Sequence, residues 1–179
     1  MARTIHGVNH LPESARPAAV RRVAVGSDMR HPVADALAAH LEAAGCAVVR
    51  CGAIGAPDAP WPGVAEQVGR LVAQGAVDQG VVCCWTGTGV SIAANKVPGV
   101  RAALCGDAET ARGARRWNDA NVLALSLRAT SEAVMTEVVD AWLATTETDP
   151  AEKDNIAAVE AIEQRYLGRA AVAAGTPRE

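Results

Sequence analysis

The sequence contains no phenylalanine and only one tyrosine among 179 residues, so aromatic packing cannot build its interior. Val, Leu, Ile and many Ala must fill the core instead, which favours helices packed closely on a sheet. Nowhere is there a run near the roughly 20 apolar residues needed to cross a bilayer. The N-terminal residues Arg3, His6 and His10 lead into no apolar stretch long enough for a signal peptide. Neither sign of charge dominates: the formal net charge is −3, which excludes a general nucleic-acid binder. No Cys/His spacing resembles a zinc site, and the four histidines are scattered.

Cysteines 46, 51, 83, 84 and 105 are odd in number, and four of them lie in or beside apolar runs. That pattern fits buried thiols in a reducing compartment better than a disulfide framework. The expectation is a cytoplasmic protein with no membrane or nucleic-acid partner. At 50% apolar and 21% charged residues, the chain has the composition of one globular domain with a sizeable core.

Residues 1–19 show no clear period and read as an irregular arm. From there, short apolar runs alternate with helical patterns. Strands are expected at 20–26, 47–50, 80–84, 100–104 and 122–125. Helices are expected at 32–44, 63–74, from the 85–89 turn through 95, at 108–116 and 132–143, with a last one at 151–167 beyond the linker 145–150. Five strand–helix alternations mean an α/β fold, a single doubly wound five-stranded parallel sheet covered on both faces in three Rossmann-like layers. The α/β domain spans 20–143, and 144–179 holds the linker, the extra C-terminal helix and a tail. Ligands in such folds bind outside the carboxyl ends of the strands.

The densest signal runs from Val81 to Lys96: a buried strand, then Trp85-Thr86-Gly87-Thr88-Gly89, then a helix start. The first N–H groups of a helix lack intrahelical partners and can hold an anion or a developing oxyanion. The segment is not a Walker loop, because Gly-Lys-Ser/Thr is absent. Nor is it the dinucleotide fingerprint, because Ile92 stands where the third glycine belongs. An anion-binding turn and a merely tight turn both remain open on these grounds. Cys84, at the end of the strand, is either a base activated by that helix start or one more small buried hydrophobe. Its neighbour Cys83 points to the opposite face.

Four blocks of this sequence resemble the type B ribose-5-phosphate isomerases and the two-component galactose-6-phosphate isomerases. They are Gly26-Ser27-Asp28, the run from Cys84 to Lys96, Gly99-x-Arg101-Ala102-Ala103, and Asn118 through Leu123, followed by Arg128 and Val139-Asp140-Ala141-Trp142. The resemblance implies a proton transfer between the first two carbons of an open-chain sugar, through an enediolate and without a cofactor. By position, Cys84 would move the carbon-bound proton and Thr86 the hydroxyl proton. Backbone N–H groups from Gly87 through Gly89, Val90 and Ser91 would hold the enediolate oxygen. Asp28 would bind sugar hydroxyls, while Asn118 and Arg128 would hold the far end of the substrate. A homodimer or dimer of dimers with sites between subunits is also implied.

The chain departs from that family at several of these positions. Met29 and Trp117 stand where the family has histidines, and Trp85 replaces a glycine. Pro60-Trp61-Pro62 replaces Asp-Tyr-Pro, and the mixed run Ala151–Asn155 replaces a His/Arg-rich one. Trp61, Trp85 and Trp117 therefore fall at pocket-lining positions. The expected activity is aldose–ketose isomerisation of a small sugar or sugar phosphate other than ribose 5-phosphate, a short linear one fitting the losses. The alternative is a non-catalytic sugar-binding or regulatory protein on the same fold.

Overall fold

The computed structural model describes residues 20–174, with side chains to residue 167; the arm expected at 1–19 and the end of the tail lie outside them. Five strands alternate with helices: β1 (Arg22–Ser27), α1 (Pro32–Ala43), β2 (Ala47–Gly52), α2 (Trp61–Ala73), β3 (Gln79–Cys84), α3 (Thr88–Ala94), β4 (Ala102–Leu104), α4 (Ala108–Asn118), β5 (Val122–Ser126) and α5 (Glu132–Ala144). A short 3-10 turn at Pro150–Glu152 then leads into α6 (Lys153–Ala174). All strand pairings are parallel, in the order β2-β1-β3-β5-β4. The expected doubly wound sheet is therefore present.

Each face of the sheet has its own core. Val23, Val25, Val81, Cys83, Leu123 and Leu125 pack against Leu37 and Leu41 of α1 and Met135, Val138 and Trp142 of α5. On the other face Ala24, Val82, Cys84, Val122 and Ala124 meet Ala65 and Val68 of α2 and Val90 and Ala94 of α3. Cys83 and Cys84 thus do point to opposite faces, and all five cysteines are free thiols. Without phenylalanine, both cores are aliphatic apart from Trp142, whose indole N–H donates to Gln79 at 3.1 Å in the interior.

Helix starts follow the local chemistry. Asp107 accepts from the Thr110 N–H at 2.7 Å and Ser131 from the Val134 N–H at 3.3 Å, each satisfying a first-turn donor. Boundaries shift by a residue or two from expectation. α2 starts at Trp61, since Pro62 needs no N–H in the first turn. β4 starts at Ala102, because Val100 is held in a turn by Val97 and the Arg101 N–H goes to Asn121 at 2.8 Å. α4 runs two residues further, to Asn118, where Asp119 adopts a left-handed conformation (φ 46°) and ends it. The final helix also continues past Leu167 to Ala174.

Candidate functional site

The chain leaves β1 toward β2 on one side and crosses to β3 on the other. A doubly wound sheet opens a crevice at this reversal, at the carboxyl ends of the two strands. The β1–β3 register runs out on Ser27 opposite Cys83. One step on, Asp28 follows the end of β1 and Cys84 closes β3, with the Cys84 side chain packed on the α2/α3 face. Cys84 is 5% exposed, at the floor of this corner.

Asp28 is the polar group that the fold leaves unfinished. Its Oδ1 is buried and, among the described residues, has no hydrogen-bond partner. Burial pushes its carboxyl above the usual range, and the nearby Asp58 carboxylate adds to that. A half-buried carboxylate with an open acceptor suits a ligand hydroxyl. By contrast, full burial pushes the Cys83 thiol up to about 12, which fits a packing role on the other face.

The turn after Cys84 is pinned from below. The Cys84 carbonyl accepts from Gly87 N–H at 3.2 Å and Leu127 N–H at 3.0 Å. The Trp85 carbonyl accepts from Arg128 N–H and Ser126 Oγ, both at 3.0 Å. Gly87 is left-handed (φ 73°), and a Cβ there would lie 2.5 Å from Leu104 Cδ1 and 2.9 Å from the Leu125 carbonyl. No residue with a side chain fits. Gly87 then caps α3 with no side-chain bond, while the Ser91 N–H already donates to the Gly87 carbonyl at 3.1 Å. The open donors are therefore the N–H groups of Thr88, Gly89 and Val90. Expectation had also included those of Gly87 and Ser91, which intrachain bonds have taken. The exposed Thr86 flanks the turn.

The expected site residues fall into two groups. Asp28, Cys84, Trp85, Thr86, the 87–91 turn and Arg128 gather at the carboxyl edge of the sheet. The Arg128 guanidinium is exposed and, among the described residues, has no ion-pair or hydrogen-bond partner. Asn118 and Trp117 are elsewhere in the same chain. α4 descends 11 residues from the carboxyl edge, about 16 Å at 1.5 Å per residue. It ends beside Asn121, whose carbonyl accepts from Gly80 N–H near the start of β3. Asn118 there lines a cleft of about 600 Å³ between the β4 edge and α6, together with Lys96, Arg101 and Ile162. Trp117 folds back on Gly113, 2.7 Å from where a Cβ would be, and faces a different cleft with Arg112 and Arg116.

Arg101 and Arg115, which could have supplied extra cationic contacts, are committed elsewhere. Arg101 pairs with Asp119 at 2.6 Å, and Arg115 lies 5.4 Å over the Trp142 ring. Arg112 pairs with Glu109 at 3.0 Å on the helix surface. His31, a possible stand-in for the missing histidine at 29, caps α1 by accepting from Val33 N–H at 3.3 Å.

Sequence reasoning missed how the β2–α2 loop is tied to the site. The Ala59 N–H donates to the Asp28 carbonyl at 2.9 Å, and Asp58 accepts from Arg30 N–H at 3.0 Å. The signal was the rigid Pro60-Trp61-Pro62 step directly after that tie. No group of His, Cys, Asp or Glu that could hold a metal occurs among the described residues, and no described helix is long and apolar enough to cross a membrane.

A family model described as Ribose/Galactose Isomerase matches residues 23–160, well over half of the chain. The chain belongs to this family. It is 36% identical over 151 residues to ribose-5-phosphate isomerase B of Escherichia coli, covering 82% of this chain and 99% of that protein. Over 83 residues it is 40% identical to the D-erythrulose-4-phosphate isomerase of Pectobacterium atrosepticum, covering 46% of this chain and 55% of that one. Among solved structures, ribose-5-phosphate isomerase B of Clostridium thermocellum superposes with a TM-score of 0.77 at 35% identity, covering 81% of this chain and 99% of its own. The fold of this family member, with its five-stranded parallel sheet, is therefore that of the type B enzymes.

Proposed function

We propose that this protein is an aldose–ketose isomerase that moves a proton between C1 and C2 of a small sugar or sugar phosphate through an enediolate. The observation that carries this reading is that Cys84 and Asp28, whose Oδ1 has no partner among the described residues, stand at the ends of adjacent strands beside the turn that opens α3. Asp28 accepts substrate hydroxyls. The Cys84 thiolate removes the carbon-bound proton and returns it to the neighbouring carbon, while Thr86 relays the hydroxyl proton. As charge builds on the enediolate oxygen, the N–H groups of Thr88, Gly89 and Val90 meet it, a contribution of roughly 3–4 kcal/mol in comparable sites.

The substrate is a short linear sugar phosphate rather than ribose 5-phosphate. Trp117 stands where ring opening would need a histidine, and His31 is used as a helix cap. A tetrose 4-phosphate cannot close to a furanose, because its ring hydroxyl is esterified, so it needs no ring-opening group. The similarity to a relative named for D-erythrulose 4-phosphate supports the same size class. Arg128, at the carboxyl edge and without an ion-pair partner among the described residues, takes the phosphate. The step is a proton transfer, which the family resemblance implies runs without a cofactor.

The site is shared between two copies of the chain. Asn118 lies at the far edge from its own Cys84 and reaches such a site only across an interface. Exposed Ile92, Leu104, Ile162 and Leu167 supply apolar surface for it. The expected state is a homodimer or dimer of dimers, so a mass in solution equal to one chain would contradict it. For the activity, wild type and Cys84→Ala are assayed on a panel of aldoses, ketoses and their phosphates. Turnover of tetrose phosphates ahead of ribose 5-phosphate, lost by 10²-fold or more in Cys84→Ala, is the expected result. No turnover of any member would leave a sugar-binding or regulatory protein instead.

A further inference from the structure

One residue of α2 reaches the turn after β3. Trp61 opens α2 between Pro60 and Pro62, with its side chain 43% exposed. Its six-membered ring lies against the Cα of Gly89, where an added Cβ would sit 3.2 Å from Cδ2 and Cε3. Gly89 carries one of the three open N–H groups of the turn. Two residues earlier, Ala59 N–H is bonded to the Asp28 carbonyl at 2.9 Å. The Ala59–Trp61 segment therefore joins the backbone of Asp28, just past β1, to the turn that opens α3.

Its freedom to move is small. Proline fixes φ at 60 and 62, and each proline also restricts the residue before it, so the backbone at 59–62 is stiff. The ring cannot swing toward the turn without striking Gly89. An indole offers a flat apolar face for the C–H edge of a carbon chain and, being large and rigid, takes away length that a smaller residue would leave.

We infer that the Trp61 indole is a specificity-determining wall, packing on the substrate's carbon chain and setting the length of sugar phosphate that fits between Asp28 and the turn. This rests on the site proposed above and adds the residue that measures the substrate. Gly89 is part of the same device, since any side chain there would push the wall outward.

The test uses the full-length protein, with Trp61→Ala and the milder Trp61→Phe. The first readout is the ratio of kcat/KM for ribose 5-phosphate to that for erythrose 4-phosphate. The second is the ratio of Kd values for the non-reacting acids 5-phosphoribonate and 4-phosphoerythronate, by calorimetry. Both ratios should move at least tenfold toward the five-carbon ligand in Trp61→Ala, and in the same direction but less in Trp61→Phe. Equal losses on both ligands, with ratios unchanged within twofold, would reduce Trp61 to a structural residue and overturn the inference. If Trp61→Ala fails to fold, Trp61→Phe decides by the same ratios. The two readouts also separate the inference from the catalytic reading. Binding ratios that shift in a protein without turnover uphold the wall and sink the isomerase, whereas turnover with unmoved ratios does the reverse.

Discussion

The two edges of the sheet are finished in opposite ways. At the amino edge several polar groups are spent on one another. Asp78 accepts from the Arg22 N–H at 2.7 Å and its guanidinium at 2.9 Å, and Arg22 also donates to the Ala76 carbonyl at 2.8 Å. Asn121 serves Arg101 and Gly99 at once, each at 2.8 Å, and both Glu163 oxygens take the Gly99 N–H. At the carboxyl edge the Asp28 Oδ1, the Arg128 guanidinium and three turn N–H groups have no partner among the described residues. One edge closes the fold, and the other leaves these groups open among the described residues.

That contrast can be broken at a single atom. Gly87→Ala puts a Cβ into the Leu125 carbonyl and asks alanine to adopt φ 73°. The expected cost is about 2–4 kcal/mol of stability, together with loss of the turn geometry and hence of turnover. A thermal melt and an activity assay on the same preparation check it. A variant of wild-type stability and rate would show that the turn is not held as tightly as its contacts imply.

A smaller pair of changes compares the two edges directly. The Arg22 N–H and guanidinium hold the Asp78 carboxyl below the usual carboxylate range. Its contribution to stability is present above the ordinary value of 3.8 and is lost as pH falls through the lowered one. Asp28 has the opposite sign, since burial raises its carboxyl. Its stability is fully present below 3.8 and falls as pH rises through the raised value. At pH 7, Asp78→Asn should lower stability and leave turnover intact, whereas Asp28→Asn should raise stability slightly and impair turnover. Both groups are partly solvated, so each change in stability should stay within about 1 kcal/mol. Urea melts at pH 7 and pH 3, with rates measured at pH 7, read out both variants. Loss of stability in both would erase the distinction between the edges.

The alternation of apolar runs with helical stripes made the layers legible, because strand and helix periods differ. The neighbour order was not legible: nothing in the chain's period says that β5 inserts between β3 and β4. Cys84 was readable as a strand-end thiol beside a helix start, whereas the role of Asp28 came only by resemblance, because the sequence does not say that their strands are neighbours. Trp117 and Asn118 were readable as ligand-facing only by resemblance. Helix length decides where they lie, and the 11 residues of α4 carry them to the other edge. Trp61 showed a rigid, unusual tripeptide but not its partner, since Gly89 is distant in sequence and only the packing of α2 on α3 joins them. The capping role of His31 was equally hidden, because one accepted hydrogen bond decides it.

The most direct measurement follows the proton itself. Erythrose 4-phosphate is incubated in D₂O with wild type or with Cys84→Ala, and the carbon-bound hydrogens are followed by NMR. Wild type is expected to interconvert aldose and ketose while placing deuterium at C1 of the ketose and C2 of the aldose, with the variant slower by 10²-fold or more. Interconversion at the same rate in both proteins would contradict the assignment of Cys84 as the base.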